Sequence, residues 1–255
     1  MARRKILLLL IAFLFLTAHI ATAQRSMSDT VVSSVLFSAN YALQFPKADL
    51  ALQYGMNSAV GASVGYKTDK NWIWSANGNF IFGDRVNGRT ELLAQISTAE
   101  GEIIDGNGTF TSLSLFERGF HLQAKASKLF SFSFPNPNSG IYVGAGIGYL
   151  AHHIRIETQF GTAPQIMGDY AKGYDRLRGG FAHSLEAGYL IMSNSRVLNF
   201  SLGFEFIQAF TQSLREYQFD LMGPDSKKYT DHYYGIKVCW IIPAYKRAPQ
   251  KYYYY

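Results

Sequence analysis

Cysteine is nearly missing from this chain: Cys239 stands alone, which excludes an internal disulfide framework even in an oxidising compartment. Gln24, not a cysteine, follows the small residues Ala21-Thr22-Ala23, so the chain does not read as a lipoprotein. Long apolar runs are scarce too. Past residue 16 no stretch approaches the roughly 20 apolar residues that a transmembrane helix needs. A strong charge imbalance is also lacking in the body of the chain. Arg3, Arg4 and Lys5 at one end, with Lys246, Arg247 and Lys251 at the other, account for the whole formal charge of +6. The high isoelectric point is therefore no argument for nucleic-acid binding.

What is present begins with an address. The basic Arg3–Lys5, the apolar Ile6–Leu16 and the small-x-small Ala21-Thr22-Ala23 form a signal peptide over residues 1–23, removed to leave Gln24 first. Residues 24–33 are polar and read as a periplasmic lead-in, 34–243 as one barrel domain, and 244–255 as a basic, tyrosine-rich periplasmic tail. The composition is rich in aromatics and glycine, 19 Phe, 17 Tyr and 23 Gly, with no helical periodicity to use them. That combination suits closed β-structure.

Arg196–Gln212 states the pattern most clearly. Leu198, Phe200, Leu202, Phe204 and Phe206 share one parity, and Asn199, Ser201, Gly203 and Glu205 the other. Strict alternation is the period of a strand. A run this long, with bulky apolar residues on one side, fits a transmembrane strand of about 9–11 residues. The same pattern recurs near Ser34–Phe45, Ser58–Tyr66, Trp72–Phe82, Arg118–Phe130, Gly140–Ala151, Phe181–Met192 and His232–Ile242. Connections after the second, fourth and sixth strands are tight, as at Thr68–Asn71 and Pro135–Asn138. Those after the others are longer, with Pro46–Gly55 and Gly83–Glu117 read as loops and Gly106-Asn107-Gly108 as a turn. The expected fold is all-β: an eight-stranded antiparallel transmembrane barrel with short periplasmic turns and longer extracellular loops.

The inward parity carries Lys125, Glu186, Glu205 and Lys237 from four different strands. Eight strands leave an interior just filled by side chains, where an unpaired charge is costly. An ion-paired, plugged lumen is expected, and no diffusion pore.

Motifs for chemistry fail on context. Gly61-Ala62-Ser63-Val64-Gly65 matches G-x-S-x-G but sits mid-strand, without the strand-to-helix elbow that exposes a nucleophile. Gly144, Gly146 and Gly148 are spaced by two and mark a lumen face rather than a phosphate loop. His152 and His153 are adjacent and must diverge, as must His183 and Ser184. His121 falls on lumen parity near Glu117 and Arg118. No catalytic, cofactor-binding or metal-binding residue is assigned, and no cofactor.

ALQYGMNSAVGASVGYKTDKNWIWSANGNFIFG within Phe45–Phe82 and its flank resembles the start of small outer-membrane β-barrel proteins of Bacteroidota, of the OmpA-like and PorT-like kind. ISTAEGEIIDGNGTF and LFERGF, within Ile96–Phe120, resemble an external loop of the same group. The resemblance implies a cell outer-membrane location and a non-enzymatic accessory role in an envelope complex for outer-membrane protein assembly or secretion. The expected partners are outer-membrane lipid, lipopolysaccharide and other envelope proteins. A lipid-modifying hydrolase or acyltransferase is the alternative. Pro243 is expected to stop the last strand, and the tail's Tyr252, Tyr253, Tyr254 and Tyr255 are candidates for docking a periplasmic partner.

Overall fold

The computed structural model describes residues 31–132, 135–159, 161–193 and 198–244. The signal peptide, most of the lead-in, Arg196 and the tail with Tyr252–Tyr255 lie outside the described residues. Eight long strands form the body: β1 (Ser34–Ala48), β2 (Asn57–Lys67), β3 (Trp72–Gly83), β4 (Leu113–Ser131), β5 (Gly140–Thr158), β6 (Arg178–Met192), β7 (Asn199–Ser213) and β8 (Lys228–Ala244). Each pairs antiparallel with its sequence neighbours, and β1 pairs with β8 to close the ring. This is the expected all-β, eight-stranded antiparallel barrel.

The strands are tilted, and the register shows by how much. A hydrogen-bonded row leaving Phe37 passes through Val64, Ala76, Ala124, Ile147, His183, Gln208 and His232. It rejoins β1 at Lys47, ten residues beyond its start (37 to 47). Such a stagger is what closing a sheet of inclined strands requires.

Several strand ends differ from the sequence expectation. Pro46 and Lys47 belong to β1, opposite Tyr233 and His232, not to a loop. Pro243 continues β8 opposite Leu36 instead of stopping it. Both prolines sit within three residues of a strand end, where a missing N–H costs the ladder little. β4 starts at Leu113 rather than Arg118, and β5 runs on to Thr158 rather than ending at Ala151. Ser114, Arg155 and Glu157 in these extensions are polar and resemble loop, although the ladder continues through them.

The two faces are chemically opposite. Phe200, Leu202 and Phe204 on β7, with Leu198 just before it, are exposed on the outside, while Asn199, Ser201, Gly203 and Glu205 are buried within. Phe206 is half-buried, its ring 4.9 Å from that of Tyr234 and 5.4 Å from that of His232. Exposed Phe, Leu, Val, Ile, Tyr or Trp side chains ring the outside on every strand, among them Phe37, Val60, Trp74, Leu122, Ile147, Leu185 and Trp240. A continuous apolar girdle is far larger than the patches that proteins leave in water.

The tight connections gather at one end. At the other, the longer connections fold into a cap. They hold α1 (Asp49–Gln53), α2 (Arg89–Leu93), a small hairpin pairing Ile103–Ile104 with Phe110–Thr111, and two 3-10 turns at Pro164–Ile166 and Gly168–Gly173. Leu50, Leu92, Leu93, Ile103, Ile166 and Tyr174 join Leu113 and Ile154 in one buried cluster. The expected turn at Gly106–Gly108 is present. Asp105 Oδ1 accepts from the Asn107 and Thr109 N–H groups at 2.8 Å each, and Gly108 takes φ 78°.

Candidate functional site

The interior is filled in tiers. At the turn end, Val32 N–H donates to Asn138 Oδ1 at 2.9 Å, and Lys67 Nζ reaches both Asn138 Oδ1 at 2.9 Å and the Val32 carbonyl at 3.2 Å. Asn136 and Ser139 bond the backbone of Met192, so residues 135–139 fold under the barrel. Leu36, Leu129, Tyr142, Leu190, Met192 and Ile241 complete this floor. A cavity of about 80 Å³ lies above it.

The next tier contains the four charges picked out by parity. Lys125 Nζ sits 2.5 Å from Glu186 and 3.9 Å from Glu205, and Lys237 Nζ sits 3.0 Å from Glu205 and 4.0 Å from Glu186. Gln123 Nε2 donates to Glu205 at 3.1 Å, Ser127 to Glu186 at 3.0 Å, and Ser184 to Gln123 at 2.6 Å. The alternating square spans the lumen from β4 to β6, β7 and β8, and its charges cancel. Satisfying each ion by more than one partner offsets the cost of taking it out of bulk water. Gly146 makes the room: a Cβ there would stand 2.6 Å from Lys125 Cγ. Its spacing with Gly144 and Gly148 thus serves the lumen.

A third tier is not legible in the sequence segmentation. Glu117 accepts from Asn57 Nδ2 at 2.7 Å and from Tyr233 Oη at 2.8 Å. His152 Nε2 lies 3.2 Å from Asp231 Oδ2, and its Nδ1 lies 3.3 Å from Tyr54 Oη. Thr211 also donates to Asp231 at 2.5 Å, and Gln53 Nε2 to Tyr54 at 3.0 Å. Burial holds the Tyr54 phenol well above its ordinary pKa, so it remains a donor. In the neutral imidazole with its proton on Nε2, that proton faces Asp231 and Nδ1 accepts from the Tyr54 hydroxyl. Asp231 and His152 are fully buried. Glu117 and Asp231 were expected in connections, yet both lie on strands and continue the inward parity of Gln123-Lys125 and of Lys237. Following that parity past the apolar band is the signal that finds them. Between the two tiers, Asn40, Asn79 and His121 carry buried polar atoms without a hydrogen-bond partner among the described residues.

The candidate serines and histidines are not assembled into a relay. Ser63 Oγ bonds Ser38 Oγ at 2.5 Å in mid-strand. His152 is held by a phenol and a carboxylate, and His153 points away from it on the outer face. His183 points outward beside the Phe210 ring, while Ser184 is buried inside.

No family model matches the sequence, and no curated protein matches it. Among solved structures, the chain is similar to Neisserial surface protein A at 9% identity, over 82% of this chain and 97% of that one, with a TM-score of 0.42. It is also similar to Ail, the attachment invasion locus protein of Yersinia pestis, at 8% identity over 83% and 99%, with a TM-score of 0.42. OprG from Pseudomonas aeruginosa is 11% identical over 88% and 100%, with a TM-score of 0.34. Likenesses this loose carry no functional inference. The fold rests on the closed hydrogen-bonded ring itself.

The cap is fastened by crossed ion pairs. The 159–177 connection supplies Asp175 and Arg176, and the 214–227 connection supplies Arg215 and Asp220. Arg176 Nε meets Asp220 at 2.9 Å, and Arg215 Nε meets Asp175 at 3.1 Å. The Asp175 carboxylate raises the Arg215 pKa further above its ordinary value. On the outside of the cap, Leu52, Phe110, Met167, Tyr170, Leu221 and Met222 remain exposed.

Proposed function

We propose that this chain is a non-enzymatic integral barrel of the cell outer membrane that serves as an accessory subunit of an envelope protein complex for protein assembly or secretion. The apolar girdle supports the membrane reading, since closed barrels are one of two ways to satisfy every backbone group in lipid. The observation that carries the subunit reading is the cap. It is latched by two crossed salt bridges over a tiered lumen, yet it presents large apolar side chains outward. Aromatic residues and methionine are enriched at protein interfaces, and a rigid platform loses little entropy on binding. Affinity purification of the tagged protein in mild detergent tests this. An envelope protein that co-purifies, and is lost when Tyr170 and Met222 are both changed to Asp, supports it. A strictly monomeric protein with no companion counts against it. The terminal tyrosines Tyr252–Tyr255 are proposed as a second, periplasmic contact, checked by truncating them in the same assay.

A further inference from the structure

We propose that the outer wall, near the cap ends of β2, β3 and β4, carries a binding site for the phosphate headgroup of a membrane lipid. The site rests on the membrane reading above and adds a specific ligand to it. Leu43, Ser58, Phe82 and Arg118 form one hydrogen-bonded row across β1 to β4. The next outward-facing row below is Tyr41, Val60, Phe80 and Phe120, all apolar or aromatic and all exposed on the outside. On β2 and β4, Ser58 and Arg118 are thus the first polar side chains above this apolar row, while Leu43 and Phe82 keep the upper row half apolar.

At the upper row a recess of about 380 Å³ opens, with Leu43, Phe82 and Phe116 as its apolar lining and Arg85 and Arg118 at hand. Arg118 is already positioned. One N–H donates to the Glu117 carbonyl at 2.7 Å, and the guanidinium lies 5.1 Å over the Phe116 ring. That leaves most of its five-donor fork for a ligand. Arg155, Arg176, Arg178 and Arg215 each hold a carboxylate, whereas among the described residues neither Arg85 nor Arg118 has one within ion-pair distance. Asp84 also lines the recess, so the local balance is one positive charge, to be met by an anion. A phosphate on a glycerolipid places its oxygens at the two guanidiniums and its acyl chains on the row below. A free phosphate gains nothing from that row.

Native mass spectrometry of the full chain, folded in an uncharged detergent, tests the site with dioleoyl phosphatidic acid as the probe. Dioleoylglycerol and inorganic phosphate serve as the two half-ligands. Phosphatidic acid should bind and both half-ligands should fail to displace it at equal concentration. Arg85→Gln with Arg118→Gln should weaken binding about tenfold or more, the effect of losing hydrogen bonds to a charged group. Asp84→Asn should tighten it. Equal affinity in wild type and the double variant would overturn the site, and displacement by inorganic phosphate would reassign it to a soluble anion. Loss of a co-purifying protein in the double variant, with lipid affinity unchanged, would reassign it to a protein. The membrane reading is tested separately by insertion into phosphatidylcholine vesicles: a chain that inserts but ignores phosphatidic acid loses this site alone, and one that stays outside loses both.

Discussion

The two polar tiers above the floor of the lumen solve the same problem with different groups. The lower one sets two lysines against two glutamates, all nearly buried, with four nitrogen–oxygen distances from 2.5 to 4.0 Å. The upper one uses a histidine, an aspartate, a glutamate and two phenols, linked through single hydrogen bonds. An imidazole has a neutral form available near neutral pH, whereas a lysine reaches its neutral form only at much greater cost. Loss of the Asp231 charge is therefore absorbed by the imidazole in the upper tier, whereas loss of a glutamate is exposed in the lower.

The sharpest break is Glu205→Ala. It strips Lys237 of its 3.0 Å partner and Lys125 of its 3.9 Å one, leaving Glu186 to serve both. Orphaning a buried charge costs about 3–5 kcal/mol, and urea unfolding from vesicles, followed by the heat-dependent gel shift of the barrel, should show it. Adding Lys237→Met to that variant restores neutrality and should recover much of the loss. A double variant as unstable as the single one would mean that packing, not charge, dominates the tier. Gly146→Val comes next. Its Cβ would already crowd Lys125 Cγ at 2.6 Å, and overpacking of this kind costs about 1–3 kcal/mol by the same assay.

Asp231→Asn probes the upper tier with a smaller expected effect, about 1–2 kcal/mol, because an amide oxygen still accepts from His152 Nε2–H and from Thr211. If Asp231→Asn proves as damaging as Glu205→Ala, the imidazole is charged in the folded barrel, and the contrast between the tiers collapses. Unfolding of the two variants side by side at neutral pH decides this.

The same contrast explains what could be read from the sequence. The lower tier lies at mid-strand, between apolar neighbours that fix parity, so Lys125, Glu186, Glu205 and Lys237 can be assigned inward from alternation alone. Glu117 and Asp231 lie where the outward residues turn polar. There alternation loses its contrast, and a strand looks like a loop. Tyr54 is beyond reach for another reason: it enters the lumen from a connection, and only tertiary packing puts it beside His152. The Pro135–Asn138 turn fails likewise, since a polar turn gives no sign that it will fold inward. The recess by Arg118 depends on register between strands, which one sequence does not state.

The gentlest test concerns the cap hairpin, which the barrel should not feel at all. Asp105 accepts two backbone N–H groups, from Thr109 and Asn107, and the Thr109 bond leads in holding its carboxyl below the usual carboxylate range. A depressed folded pKa means the carboxylate stabilises the turn above the unfolded value of about 3.9, and that the stabilisation is lost as pH falls through the folded value. Asp105→Ala should therefore speed amide exchange at Asn107 and Thr109 at neutral pH, while exchange in β4 and β7 stays as it was. Acidifying the wild type below the ordinary carboxylate range should produce the same local loosening, once exchange is corrected for its intrinsic pH dependence. Exchange that rises through the barrel as well would show cap and lumen to be one cooperative unit. The upper tier, with Tyr54 held between them, would then be the element that joins the two.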